Sequence, residues 1–161
     1  FAAYMQETYG VGNESIRFTT GPGLTGNYTT YELTLRVLEH LSETADEKDL
    51  AITDIMSVPT IDPGVLKKRG IEREYAEALV AKSGFINYHH TLAGAINTKA
   101  GLAFFAIFTK YATLAEGPKV KSAIDVFVNT TAESYSKVLK SFQYTPDLTI
   151  FKNIKIAKLL G

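Results

Sequence analysis

Residues 100–115 read Ala100-Gly-Leu-Ala-Phe-Phe-Ala-Ile-Phe-Thr-Lys-Tyr-Ala-Thr-Leu-Ala115. Apolar side chains fall on nearly every side of this stretch, whichever period is laid on it. Read as a helix, it must be covered on most of its surface, which makes it the central helix of a bundle. Small residues at 93–95, 100, 101, 103 and 106 would let neighbouring helices approach it closely.

Helix signals surround it. Thr29-Thr-Tyr-Glu32 has the form of a capping box, and Tyr31, Leu35, Leu38 and Leu41 then recur on one helical face. Thr44-Ala-Asp-Glu47 repeats the capping pattern and opens a second helix that Pro59 ends. Asp62-Pro63 is a further start signal, and Ile71 to Ala81 is rich in helix formers. Gly117-Pro118 stops the apolar segment and begins a helix over 119–142, with a seam at Val120, Ile124, Phe127, Thr131, Val138 and Phe142. Thr145-Pro146 caps a last helix that runs to Gly161. The first 28 residues differ, being broken by Gly10, Gly12, Gly21, Gly23 and Gly26. The expected fold is therefore all-α: a multi-helix bundle of about six helices behind an irregular, Gly/Thr-rich N-terminal arm. Residues 1–28 form the arm and 29–161 a single helical domain.

Composition narrows the function classes. Hydrophobic residues make up 45% and charged residues 21%, the balance of a folded globular chain. The absence of cysteine excludes disulfides, thiolate metal sites and thiol nucleophiles. No apolar run approaches the roughly 18 residues of a membrane-spanning helix. Net charge is zero but uneven: residues 1–94 hold 8 basic and 13 acidic residues, and residues 95–161 hold 9 basic and 4 acidic. Opposed charge of this kind favours association between copies. Asn13-Glu-Ser, Asn27-Tyr-Thr and Asn129-Thr-Thr are glycosylation sequons. The compartment is left open, an extracellular or particle-bound protein being compatible with them.

Chemistry concentrates at one place. His89 and His90 are two of the three histidines and stand side by side in Phe85-Ile-Asn-Tyr-His-His-Thr-Leu-Ala-Gly94. On a helix they would diverge by about 100° and share no face, so they do not make a paired metal site. One imidazole could still hold a large planar pigment in an apolar pocket. Asp62-Pro-Gly-Val-Leu-Lys67 followed by His89-His90 has a faint likeness to the peridinin–chlorophyll proteins, which are helical carriers. The spacing between the two motifs differs, and no family is assigned from it. Elsewhere no G-x-S-x-G elbow and no phosphate-cradling G-x-x-x-x-G-K-[ST] loop occurs. Lys152, Lys155 and Lys158 form a stripe that Lys137 and Lys140 extend, and such lysines can neutralise phosphates.

With no coherent catalytic set, the expected function is a non-enzymatic structural subunit. It would self-associate, or pack into a filament, coat or larger complex, through apolar helix faces and the N-terminal arm. Its partners would be copies of itself or other subunits, and no cofactor is expected. Two alternatives stand beside it: a nucleic-acid-binding coat or complex subunit using Lys137, Lys140, Lys152, Lys155 and Lys158, and a carrier with His89 or His90 as ligand to a pigment or small molecule.

Overall fold

The computed structural model describes residues 2–12, 14–20 and 26–144. In chain order these form helix α1 (Ala2–Tyr9), strands β1 (Ile16–Arg17) and β2 (Tyr28–Thr29), and helices α2 (Tyr31–Glu47), α3 (Ile52–Ile55) and α4 (Arg73–Ala76). Strands β3 (Leu79–Ile86), β4 (His89–Thr98) and β5 (Gly101–Lys110) follow, and then helix α5 (Gly117–Ser134). The fold is mixed α/β, which overturns the all-α expectation.

The correction falls on the stretch that decided it. Gly101 to Lys110 is a strand, and it pairs antiparallel with β4, as β4 does with β3, to give a sheet of order β3-β4-β5. The two hairpin turns are short. Asn87-Tyr88 joins β3 to β4, with Asn87 at φ +46°, a conformation its side chain tolerates well. Lys99-Ala100 joins β4 to β5, where Gly101 at φ +123° needs the freedom of a glycine. The run of 100–115 is apolar on all sides because the sheet is covered on both faces. Ala103, Phe105 and Ile107 of β5 meet α5 residues Ile124, Val128 and Ala132. Leu102 and Phe104 point the other way, to Leu38 of α2 and to Ile52, Met56 and Val58. A strand sandwiched between helices loses its alternation in the same way as a central helix loses its stripe.

At the centre of the sheet Gly94 sits opposite Ala81. A Cβ there would fall inside the van der Waals shell of the Val80 carbonyl oxygen and the Ala81 Cα. The close approach of β3 and β4 depends on that missing side chain.

Two helices stand where the sequence expects them. α2 starts one residue later than the proposed capping box: Thr30 is its N-cap, accepting from the Leu33 N–H at 3.1 Å, and Leu33, Leu38 and Ala45 are its buried positions. The Thr44 capping pattern lies inside this helix and caps nothing. α5 buries Ile124, Val128 and Ala132, while Phe127 of the expected seam is 58% exposed. The first 28 residues contain α1 and β1, which pack as Met5 and Ile16 against Leu33 of α2. Of the helix formers in 71–81 only Arg73–Ala76 is helical; Leu79 onward belongs to the sheet. The proposed helix after Thr145-Pro146 lies outside the described residues.

Between α3 and β3 the chain passes round the outer side of β3, where Ser57 bridges Ala81 and the Ala81 N–H donates to the Ser57 carbonyl. It then turns onto the α5 face. There Arg69 Nε donates to Asp125 Oδ1, and Asp125 Oδ2 accepts from the Gly70 N–H at 2.8 Å. Arg69 Nη2 makes charge contact with the same Oδ1 without hydrogen-bond geometry, and has no other acceptor among the described residues. Asn129 completes the clamp, accepting from Glu72 N–H and donating to the Gly70 carbonyl. Both charged partners are buried, so removing one strands the other. Asp125→Ala should therefore cost about 3–5 kcal/mol in urea unfolding, and the apolar double replacement Arg69→Met/Asp125→Leu much less.

Candidate functional site

Strand β3 is an edge strand, and its outer side is paired only at Ala81 among the described residues. Because the Ala81 N–H points outward, alternation along the strand turns the N–H and C=O of Ser83 and Phe85 outward too. Lys82-Ser83-Gly84 occupies the start of this free edge. Lys82 is exposed, and its ammonium donates to the Ser83 carbonyl at 2.6 Å, which holds the charge beside the open backbone. Gly84 faces Thr91 across the pair of strands, and a Cβ at Gly84 would collide with the Thr91 hydroxyl. The glycine keeps the surface low just beyond the lysine.

Further along the same face of the sheet lies a cleft of about 610 Å³. Ile86, His89, Thr91 and Phe108 form its floor, and Phe18, Asn27 and Tyr28 its far wall. Asn27 shapes that wall by accepting from the Thr19 and Thr20 N–H groups and donating to the Thr20 carbonyl. Phe18, Tyr28, Tyr88 and Phe108 stay substantially exposed here.

The two histidines are adjacent residues of a strand, so they point to opposite faces. His89 is exposed and lines the cleft. His90 is half-buried on the α5 face, stacked on Phe85 at 4.7 Å and on Tyr111 at 5.5 Å. Burial, and then the Arg69 and Lys121 charges, lower its pKa from the ordinary 6.5, against a hydrogen bond to the Gly117 backbone. The described residues contain no cluster of three or more metal-ligating side chains. Lys137 and Lys140 are exposed beyond the end of α5, where the Lys99 ammonium donates to the Lys137 carbonyl and the Lys140 N–H to the Asn97 carbonyl. Lys152, Lys155 and Lys158 lie outside the described residues.

Sequence reasoning passed over Lys82-Ser83-Gly84. Its signal was three residues long, and it gains meaning only on a strand edge. A serine three residues before a lysine does occur, at Ser134 and Lys137, but at the far end of α5, next to the β4–β5 turn and not beside Lys82.

The chain matches no family model and no curated protein. Solved structures do resemble it. The predatory endopeptidase Bd0816 of Bdellovibrio bacteriovorus, in complex with immunity protein Bd3460, is 25% identical with a TM-score of 0.82, over 91% of this chain and 39% of that one. The predatory peptidoglycan endopeptidase Bd3459 of the same organism is 24% identical with a TM-score of 0.72, over 91% and 39%. Penicillin-binding protein 4 of Haemophilus influenzae, complexed with a β-lactam, is 20% identical with a TM-score of 0.63, over 83% and 32%. The chain thus spans between about a third and two fifths of the length of these neighbours. Two of these neighbours are endopeptidases, and the likeness overturns the expected non-enzymatic structural subunit, along with its nucleic-acid-coat and pigment-carrier alternatives. A protein partner is a property of the first neighbour. Among the described residues no helix is long and apolar enough to cross a membrane.

The lowered pKa of His90 has a consequence for stability. A base that is harder to protonate folded than unfolded supports the fold fully above its unfolded value and loses that support as pH falls through the folded one. Acid titration from about pH 7 to about pH 5 should therefore lower the urea midpoint, and His90→Phe should flatten that fall.

Proposed function

We propose that this chain forms the substrate-binding wall of a serine acyl-transfer peptidase of the penicillin-binding type, acting on peptides of the cell wall. The observation that carries the reading is Lys82-Ser83-Gly84 on the free edge of β3. Penicillin-binding proteins combine a K-T-G triplet with S-x-x-K and S-D-N motifs in one site, and Lys82-Ser83-Gly84 resembles that triplet. Serine for threonine keeps the hydroxyl, and Gly84 keeps the close approach.

The edge supplies what an extended peptide needs. Outward N–H and C=O groups of Ser83 and Phe85 pair with its backbone, in the manner of strand addition. The Lys82 ammonium and the Ser83 hydroxyl hold its carboxylate, or that of a β-lactam, by a charge-assisted contact. The cleft beyond Gly84 takes one side chain of the bound peptide, with apolar contact from Phe18, Tyr28 and Phe108 and polar contact from Thr91 and His89. The acylated serine faces Lys82 from across the edge and is contributed by sequence outside these residues, as the coverage of about two fifths of the neighbours allows. The partner expectation narrows accordingly, to a peptide substrate and to a protein that blocks the edge.

Fluorescent penicillin tests the reading on the full-length protein. Covalent labelling is expected, and Lys82→Ala should slow it about a hundredfold with the fold intact by circular dichroism. A protein that labels no serine, or that labels equally well after Lys82→Ala, would refute it.

A further inference from the structure

We propose that His90 is a positioning residue for the free edge of β3. Its neutral imidazole, wedged between Phe85 and Tyr111 beneath the start of α5, holds Ser83–Ile86 in place for an extended peptide. What the edge binds rests on the function proposed above; the positioning itself does not.

The geometry gives His90 control of that segment from three sides. Phe85 is its direct cross-strand partner, and their rings stack with planes 26° apart. Tyr111 stacks on the other side at 23°, and its hydroxyl donates to the Asn87 carbonyl in the turn that ends β3. The Thr109 hydroxyl donates to the His90 carbonyl at 2.7 Å. Above the rings α5 begins with Gly117, where a Cβ would crowd the Tyr111 hydroxyl and stand 3.5 Å from His90 Nε2. Beyond Ala81 the segment is paired with β4 on its inner side and has no neighbouring strand on its outer side among the described residues, so this stack adds the side-chain support that an outer strand would otherwise give.

Burial and the surrounding cations favour the neutral imidazole, against the hydrogen bond to the Gly117 backbone. From β3 the facing group is Phe85 and from the segment after β5 it is Tyr111, neither of them a counter-charge. From α5 and the connector before β3 come Lys121 and Arg69. The nearby carboxylates are engaged elsewhere. Asp125 serves Arg69 and the Gly70 N–H, and Glu116 accepts from the Ala112 and Thr113 N–H groups. A protonated His90 would be a third cation with no acid to offset it. It would leave the stack and loosen Phe85 and, through it, the outward amides on either side of Gly84, which β4 then holds from the inner side alone. The binding edge is thereby closed down in mild acid.

The test compares full-length wild type with His90→Phe and His90→Tyr, which keep a ring and cannot take a proton in this range. The rate of labelling by fluorescent penicillin is followed from about pH 7.5 to about pH 5, together with the backbone amide resonances of Ser83 and Phe85. The wild-type rate should fall several-fold more than that of either folded variant, and its two amides should move with the imidazole titration. Parallel acid limbs in wild type and variants, or amides that ignore the imidazole, would overturn the positioning role. If nothing is labelled at any pH, the proposed function fails alone. The amide titration then decides: shifts present in wild type and absent in the variants support the role, and no shift in wild type overturns it.

Discussion

A buried charge pair decides how this chain is laid out around its sheet. Arg69 and Asp125 lie far apart in sequence and meet beneath α5. Arg69 sits in the only described connection between the α2 side and β3, so its attachment to α5 fixes where the chain crosses the edge of the sheet. The crossing takes place at Ser57 and Ala81, and beyond it no described residue pairs with the outer side of β3. The buried pair has a second task that an apolar contact would not perform, since Asp125 also accepts from the Gly70 N–H, while Asn129 separately holds Glu72.

On this frame two neighbouring faces do different work. The face toward α2 carries Lys82, Gly84 and the aromatic cleft, and is open to a ligand. The opposite face carries Ala81, Phe85 and His90, and is tied to α5. One strand thus presents chemistry on one side while it is braced on the other. The adjacent histidines divide in the same way, His89 toward the cleft and His90 into the ring stack.

What could be read from the sequence follows from which signals are local. The caps and stripes of α2 and α5 depend on neighbouring residues, and both helices were legible at their starts, although α5 ends at Ser134 instead of 142 and α2 runs through the Thr44 pattern that was to open a new helix. The sheet was not legible. Its strands are covered on both faces, so Leu102 to Phe108 lacks the alternation that marks a half-exposed strand, and the small residues 93–95 looked like helix contacts instead of the close approach at Gly94. The turn at Asn87-Tyr88 was the missed clue, since it separates two apolar runs by two residues. The candidate site was lost with the sheet. His89 and His90 drew notice because histidines are rare here, whereas Lys82-Ser83-Gly84 is ordinary in composition and becomes a site only when its backbone lies on an edge.

Strand β5 is the other edge of the same sheet, unpaired among the described residues. It is ten residues long, lacks proline, and carries its single charge at Lys110, the very end. Natural sheets guard such margins with charges, bulges or short strands, and β5 has only the terminal Lys110. The composition that lets β5 fill two cores at once also makes it a template on which further chains can stack. Cover over this margin, from α2 or from sequence beyond the described residues, is what keeps such stacking in check.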